Sequence, residues 1–264
     1  MFETIKNAFG TKEIRVKIWA TLLLLLVYRI GCFIPVPGLN VSIISDALKG
    51  SSASSFLNVI SAITGGSLSQ GTLFALGIIP FINSFIIMQL LTLIIPKLEE
   101  MSKDGEEGRK KITQITRYVA IVLAVVQAIG IAFLWKNYIN PIYGMEKNWL
   151  AMIYVIIILV GGSVMVMWLG ERITEYGIGN GTSLIIFVGI LSTAGTSLLN
   201  AFRTVPTDPN KLWNIFGFLI LVVALFAFIV FVDGGERRIT VQYAKQVKGN
   251  KMYGGQTTFI PIRV

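Results

Sequence analysis

Six apolar stretches, each about long enough to cross a bilayer, occupy most of this 264-residue chain. They cover residues 18–34, 73–95, 118–135, 150–169, 183–199 and 212–232. A helix needs roughly 20 mostly apolar residues to cross the hydrocarbon, at 1.5 Å rise per residue. Lipid offers no partner to a bare peptide group, so such stretches must close their hydrogen bonds internally as helices. The expected fold class is therefore an all-α integral membrane protein, a polytopic helical bundle with six transmembrane helices.

Composition agrees. Hydrophobic residues make up 54% of the chain and charged residues only 14%, where a soluble domain carries about 25% charged. The net charge of +9 resembles a nucleic-acid signal until its placement is considered. Of the 23 Lys and Arg, 17 fall in the N-terminus, the 96–117 segment, the fourth inter-span segment and the tail. Five fall in the other loops, and Arg29 lies inside the first span. Positive charge gathers on the cytoplasmic side of membrane proteins, so the N-terminus, residues 96–117 and the tail are expected in the cytoplasm. Cys32 is alone, which excludes an internal disulfide. The chain has no His, the commonest metal ligand and neutral-pH base. The first stretch is too long for the core of a cleavable signal, and no small-residue cleavage site follows it.

Residues 1–17 read as an amphipathic surface helix, with Phe2, Ile5 and Phe9 at helical spacing beside Lys6 and Lys12. Arg29 either faces protein or water inside the membrane, or reaches toward an interface. Pro35-Val36-Pro37-Gly38 should end the first span. The outer segment 39–72 that follows is rich in Ser and Gly and poor in charge. Within it Phe56-Leu57-Asn58-Val59-Ile60-Ser61-Ala62-Ile63-Thr64 has helical apolar spacing, is too short to span, and is closed by Gly65-Gly66. It is either a re-entrant helix covered by protein or a helix lying flat on the outer surface.

Pro80 lies near the start of the second span, with Asn83, Ser84 and Gln89 inside it; Gln127 lies in the third span and Gly161-Gly162-Ser163 in the fourth. Such polar residues commonly bond a neighbouring helix, and small ones permit close approach. Residues 96–117 mix five acids with six bases and read as a solvated hairpin. In the turn after the fourth span, Asn180 or Thr182 should cap the fifth helix. The Gly-rich run there lacks the strand and the GKS/T of a phosphate loop. In the tail, Tyr243 and Tyr253 interleave with Lys245, Lys248 and Lys251. That pattern suits anionic lipid, RNA phosphate, an acidic protein, or a plain solvated loop.

Eight segments together resemble the SecY family, the central channel subunit of the bacterial Sec protein-translocation complex. They are Arg29-Ile-Gly-Cys-Phe-Ile-Pro-Val-Pro-Gly38, Ile63-Thr-Gly-Gly-Ser-Leu-Ser69, Phe74-Ala-Leu-Gly-Ile-Ile-Pro80, Ile86-Ile-Met-Gln-Leu-Leu91, Gly108-Arg-Lys-Lys-Ile-Thr-Gln-Ile-Thr-Arg117, Trp168-Leu-Gly-Glu-Arg-Ile-Thr-Glu175, Gly177-Ile-Gly-Asn-Gly-Thr-Ser183 and Arg237-Arg-Ile with Tyr243-Ala-Lys245. They occur in the family's order, each at the expected edge of a span. The family has ten spans in two inverted halves of five, so the chain is expected to be a fragment: half of an inverted-repeat channel plus the sixth span.

The resemblance implies four parts: a cytoplasmic amphipathic N-terminus at 1–17, a five-helix half at 18–204, a sixth span at 205–232 and a cytoplasmic docking loop at 233–264. It implies a pore ring at Ile78, Ile82, Ile186 and Thr182. The family more often has an aliphatic residue at the last position, so either the ring is less apolar there or the correspondence is loose. A plug is implied at about 56–71, through Phe56, Leu57, Val59, Ile60, Ile63, Thr64, Gly65 and Gly66. Ser84, Gln89 and Gln127 are the implied polar groups of a lateral gate that meets signal peptides. Arg237, Arg238, Lys245, Lys248 and Lys251 are the implied docking cations for the ribosome or the SecA motor. The other implied partners are SecE, SecG, unfolded polypeptide, membrane lipids and the channel's remaining C-terminal half, with no DNA.

The implied function is passage of unfolded secretory proteins across, and release of signal or transmembrane helices into, the bacterial plasma membrane, with no cofactor. The alternative is a secondary transporter with a midplane small-solute site. That would call for an intramembrane acid to couple ions, whereas Glu171, Glu175 and Asp233 all lie at span edges. A membrane enzyme would need a nucleophile and base or a ligand set, and no such constellation is visible in the sequence. An ion channel of the charged-ring type lacks its rings.

Overall fold

The computed structural model describes residues 11–39, 54–136, 139, 148–203, 210–242, 246–248, 251–253 and 257–263. Residues 1–10, most of the expected N-terminal amphipathic helix, lie outside them, as does Lys245. The chain divides into two compact units, residues 1–196 and 197–264.

The first unit opens with α1 (Lys12–Gly31). At 20 residues it is long enough to span, but Arg15, Lys17 and Arg29 lie within it. After α1 the Pro-Val-Pro-Gly segment turns back and pairs with residues 71–73: Val36 N–H donates to Gly71 O at 2.9 Å, and Leu73 N–H to Ile34 O at 2.9 Å. A short helix, α2 (Ser54–Ile63), then leads into turns. Gly65 (φ +70°) and Gly66 (φ +86°) stop it in the left-handed region that glycine tolerates.

The second apolar stretch corrects the expected span at 73–95. Helix α3 covers only Ile79–Ile94. Pro80 sits in its first turn, where its missing N–H is harmless; its ring would clash with a carbonyl four residues back, so the helix cannot extend toward residue 73. Gly77, at φ +56°, completes the block. At the far end Ile95 is extended (φ −97°, ψ 111°) because Pro96 follows it. Helix α4 (Pro96–Lys103) leaves at 101° to α3.

The 96–117 segment is not the expected solvated hairpin loop. It forms α4 and the first turns of α5 (Gly105–Leu134), 30 residues long. Oppositely charged residues four apart support these turns: Lys103 Nζ to Glu99 Oε1 at 2.6 Å and Lys110 Nζ to Glu106 Oε2 at 4.0 Å. The hydrogen bond and charge of Lys103 hold the exposed Glu99 carboxyl below its usual range. Its small contribution is therefore present at neutral pH and lost as the pH falls through that lowered value. Below, α5 buries Thr116, Ala120, Ala124, Ala128 and Ala132. This stripe of small residues every fourth position lets α3 and α6 (Asn148–Tyr176) pack closely.

The turn into α7 (Gly181–Arg203) uses Asn180 as its cap: Oδ1 accepts from Thr182 N at 3.0 Å and Ser183 N at 3.4 Å. Thr21 of α1 accepts from Ile178 N at 3.1 Å, tying α1 to this turn. Two apolar clusters fill the unit. One gathers Val36, Leu68, Leu76, Ala128, Trp135, Val155 and Leu159. The other gathers Tyr28, Cys32, Phe74, Ile78, Val166, Leu169, Ile173 and Ile185; in it the Tyr28 and Phe74 rings stack at 5.9 Å.

The second unit contains α8 (Asn210–Asp233), apolar and exposed along nearly all its described length. Such a surface is stable in lipid and not in water. By length and composition, α5, α6, α7 and α8 each suit a membrane span, and the bent α3–α4 pair raises that number to as many as five. Six spans were expected for the whole chain; among the described residues this measure supports four or five.

Beyond α8, the tail adds antiparallel strands to the helical class, which the sequence reading left without secondary structure. Strand β1 (Glu236–Gln242) pairs with β4 (Thr257–Arg263), with Arg238 opposite Pro261. Strand β2 (Gln246–Lys248) pairs with β3 (Lys251–Tyr253), with Lys248 opposite Lys251. The β-branched residues Ile239, Thr240, Val241, Thr257, Thr258, Ile260 and Ile262 favour this extended pairing.

Candidate functional site

Ile78 is the residue just before α3 rather than part of it. Its carbonyl accepts from Ile82 N–H at 3.1 Å, so the two side chains still lie one helical turn apart on the same side. Ile78 is 4% exposed and belongs to the second apolar cluster. Ile82 and Ile186 are half-buried and pack against that same cluster. Three of the four ring residues named from sequence are thus brought together on one apolar body, contributed by α3, α7 and the turn between residues 73 and 78.

The fourth, Thr182, is half-buried and shares with Ile82 the lining of an open groove of about 790 Å³. Phe81, Ile82 and Phe85 form its apolar wall; Arg117, Glu171, Arg172 and Glu175 form its charged border. Arg117 Nε donates to Glu171 Oε1 at 2.6 Å, joining α5 to α6 across the groove. Arg172 pairs with Glu175 at 2.7 Å and lies 5.5 Å over the Trp168 ring. These charges bond among themselves and leave the Phe81, Ile82 and Phe85 wall uncharged. Sequence reasoning placed Glu171 and Glu175 only at a span edge; the partnership of Glu171 with Arg117, 54 residues away, had no local signal.

The turn that carries Ile78 is gripped by α6. An added Cβ at Gly162 would lie 2.0 Å from Leu73 O, and Ser163 Oγ donates to Gly77 O at 3.2 Å. The Gly-Gly-Ser run of the fourth span therefore admits a turn, whereas the sequence pointed to a neighbouring helix. Behind it, Gly170 leaves room for Ile78 Cδ1 and Ile185 Cδ1, at 3.4 and 3.5 Å from its would-be Cβ.

Of the residues named for a plug, Phe56, Leu57, Val59, Ile60 and Ile63 are on α2, and Thr64, Gly65 and Gly66 follow it. Leu57 and Ile60 pack on the first apolar cluster. Val59 is exposed, and Thr64 is buried. Thr64 Cγ2 abuts Gly77, at 2.9 Å from where a Cβ would stand. The end of α2 thus rests on the turn immediately before Ile78. It is covered by protein at this end.

The residues named for a lateral gate separate. Ser84 is fully buried and donates to Thr116 O at 2.6 Å, locking α3 to α5. Gln89 is exposed and Gln127 half-buried. Among the residues named for docking, Arg237 and Arg238 are exposed on β1, and the Arg238 guanidinium lies 4.8 Å over the Phe259 ring. Lys248 and Lys251 sit in the short β2–β3 pair.

The SecY family profile matches residues 72–264. This chain belongs to the SecY family. It is similar to the protein translocase subunit SecY of Staphylococcus epidermidis strain ATCC 35984, with 39% identity over 269 aligned residues covering all of this chain and 62% of the relative. Among solved structures it resembles a SecY protein whose plug domain is described as stabilising the closed state of the translocation channel and maintaining a membrane seal. That match has 25% identity and a TM-score of 0.55, covering 94% of this chain and 52% of the other. It also shares its fold with Sec61 in a canine ribosome–channel complex from the endoplasmic reticulum (22% identity, TM-score 0.52, covering 85% of this chain and 49% of the other). The chain thus spans about three-fifths of the curated relative's length and about half of the channel structures. Family membership sets aside the secondary-transporter alternative and agrees with a helical membrane fold.

Proposed function

We propose that this chain supplies one side of a protein-conducting channel, with no enzymatic step of its own. The observation that carries the reading is the joining of Ile78, Ile82 and Ile186 to one apolar cluster beside an open groove lined by Ile82 and Thr182. Branched aliphatic side chains present no fixed polar site, so a constriction built from them stays dry to ions yet deforms around a peptide. Thr182 makes the seal less apolar on the α7 side. The α2 segment, with Phe56, Leu57, Val59, Ile60, Ile63, Thr64, Gly65 and Gly66, acts as the plug, since its end sits against the turn that holds Ile78.

The gate toward lipid lies along α3 and α5, where Gln89 and Gln127 are accessible to an apolar signal helix and Ser84 holds the two helices together. Transmembrane hydrogen bonds contribute roughly 1 kcal/mol each, so few of them suffice to bias a gate without locking it. The chain works with a C-terminal half, with SecE and SecG, with unfolded polypeptide and signal peptides, and with lipid. It sits in the bacterial plasma membrane with its N-terminus in the cytoplasm, in keeping with the Lys and Arg distribution.

A photo-crosslinking amino acid in place of Ile82 tests the pore assignment. With a secretory chain stalled in the reconstituted complex that contains this protein, position 82 is expected to label the stalled chain. Labelling confined to lipid-facing positions such as Ile157, which is exposed on α6, would overturn it.

The exposed cations of β1 support docking of the ribosome or the SecA motor. Arg suits both phosphate and carboxylate partners. Arg237→Glu with Arg238→Glu is expected to weaken docking at least tenfold in sedimentation binding while the complex still assembles. Arg237 is expected to carry the larger share, because Arg238 already leans on Phe259. Unchanged sedimentation would remove this role.

A further inference from the structure

Arg29 is the charge within α1 whose orientation the sequence left open. Its Nη1 donates to Gly65 O at 3.3 Å, 36 residues away, and its guanidinium lies 4.8 Å over the Phe33 ring. Gly65 is two residues beyond the end of α2, where helix carbonyls run out of intrahelical donors. A cation at a helix C-terminus also complements the partial negative charge there. Helix α7 also receives this helix end. Thr193 Oγ1 donates to Ala62 O at 3.3 Å. Gly189 comes so close that a Cβ on it would stand 2.5 Å from Ile63 O. A Cβ on Gly65 would stand 3.0 Å from Arg29 Nη1 and 3.2 Å from Gly189 Cα. The end of α2 is therefore seated in a socket: a charged donor from α1, a hydroxyl donor from α7, and a glycine gap that admits the backbone.

We propose that Arg29 is the latch of this socket, a positioning residue that holds the end of α2 closed through the Gly65 carbonyl, and that Gly189 sets the depth to which the helix end can seat. The proposal rests on the plug reading of α2. The socket is selective in its mechanics. Withdrawing α2 strips the carbonyls at its end of their donors and leaves a guanidinium at membrane depth without that partner, which is costly. Yet the bond is a single one at 3.3 Å, so an entering chain that supplies its own contacts can release it. A hydrogen bond to a charged group contributes enough that its loss shifts such a balance by about tenfold or more.

Two readouts in the reconstituted complex separate the latch from the plug. The first is the labelling rate, by a water-soluble maleimide, of a Thr64→Cys probe in a Cys32→Ser background, Thr64 being buried at the end of α2. The second is resting ion leak from liposomes. Arg29→Gln is expected to raise both about tenfold, Arg29→Lys less, because it keeps the charge with a smaller donor fork. Gly189→Ala should do the same by displacing the helix end with Arg29 intact, which covers the case that Arg29→Gln fails to assemble. In a chain lacking residues 56–66, Arg29→Gln should add no further leak, an outcome that a general loss of stability would not give. Unchanged labelling in both Arg29→Gln and Gly189→Ala overturns the latch. Faster labelling with no leak, in a background where the 56–66 deletion also does not leak, upholds the latch and overturns the plug's sealing role.

Discussion

Replacing Gly162 by Val should abolish the stable fold of the first unit, while replacing its neighbour Gly161 by Ala should leave it intact. The two residues are adjacent on α6 and identical in chemistry; only their surroundings differ. A Cβ at Gly162 would lie 2.0 Å from Leu73 O and 2.9 Å from Leu73 C, both backbone atoms that cannot rotate away. A Cβ at Gly161 meets nothing within 4 Å. Overpacking a close-packed interior typically costs 1–3 kcal/mol, and a clash with backbone at this separation belongs at or above about 3 kcal/mol. The displaced turn would also lose the Ser163 bond to Gly77 O and carry Ile78 out of its cluster. Thermal unfolding of the purified protein in detergent, with protease protection as a second measure, reads the contrast. A Gly162→Val protein that melts at the wild-type temperature would refute the grip of α6 on this turn.

That contrast also shows which parts of the molecule its sequence discloses. The apolar stretches were legible because a bilayer imposes one length and one solvent on every span. The short α2 was legible because its period is helical and its stop is a pair of glycines. Asn180 was one of two caps that residue type alone pointed to. What escaped detection depended on partners distant in sequence or on local backbone geometry. Pro80 and Gly77 together shorten α3 to 16 residues, although hydropathy alone carries the stretch back to residue 73. The acids and bases of 96–117 look like a solvated loop until their four-residue spacing is weighed as helix support. The β1–β4 pair of the tail joins residues a dozen or more apart, which no short window contains. Arg29 was recognisable as costly, yet the Gly65 carbonyl that receives it is set by how α2 returns.

Replacing Ile82 by Asn should make the resting channel leak ions, and Ile82→Leu should not. Of the residues proposed for the ring, Ile82 is suited to this test. Ile78 is buried at 4% exposure, so a polar group there would disturb the core and the seal together. Ile82 is half-buried and borders the open groove, so a change there acts on the wall of the groove proposed to face the passage. Making a branched aliphatic side chain's surface polar removes roughly 2 kcal/mol of preference for a dry state, about thirtyfold in the wet-to-dry ratio. Leu keeps volume and apolar area, and volume-conserving swaps are well tolerated. Ion efflux from liposomes holding the assembled complex should rise by that order for Ile82→Asn and stay at baseline for Ile82→Leu. Ile157→Asn on the exposed face of α6 supplies the comparison, since an amide there meets lipid and should not wet the passage. If Ile157→Asn leaked and Ile82→Asn did not, the Ile82 wall of the groove would not be the seal, and the barrier to ions would have to lie elsewhere in the assembled channel.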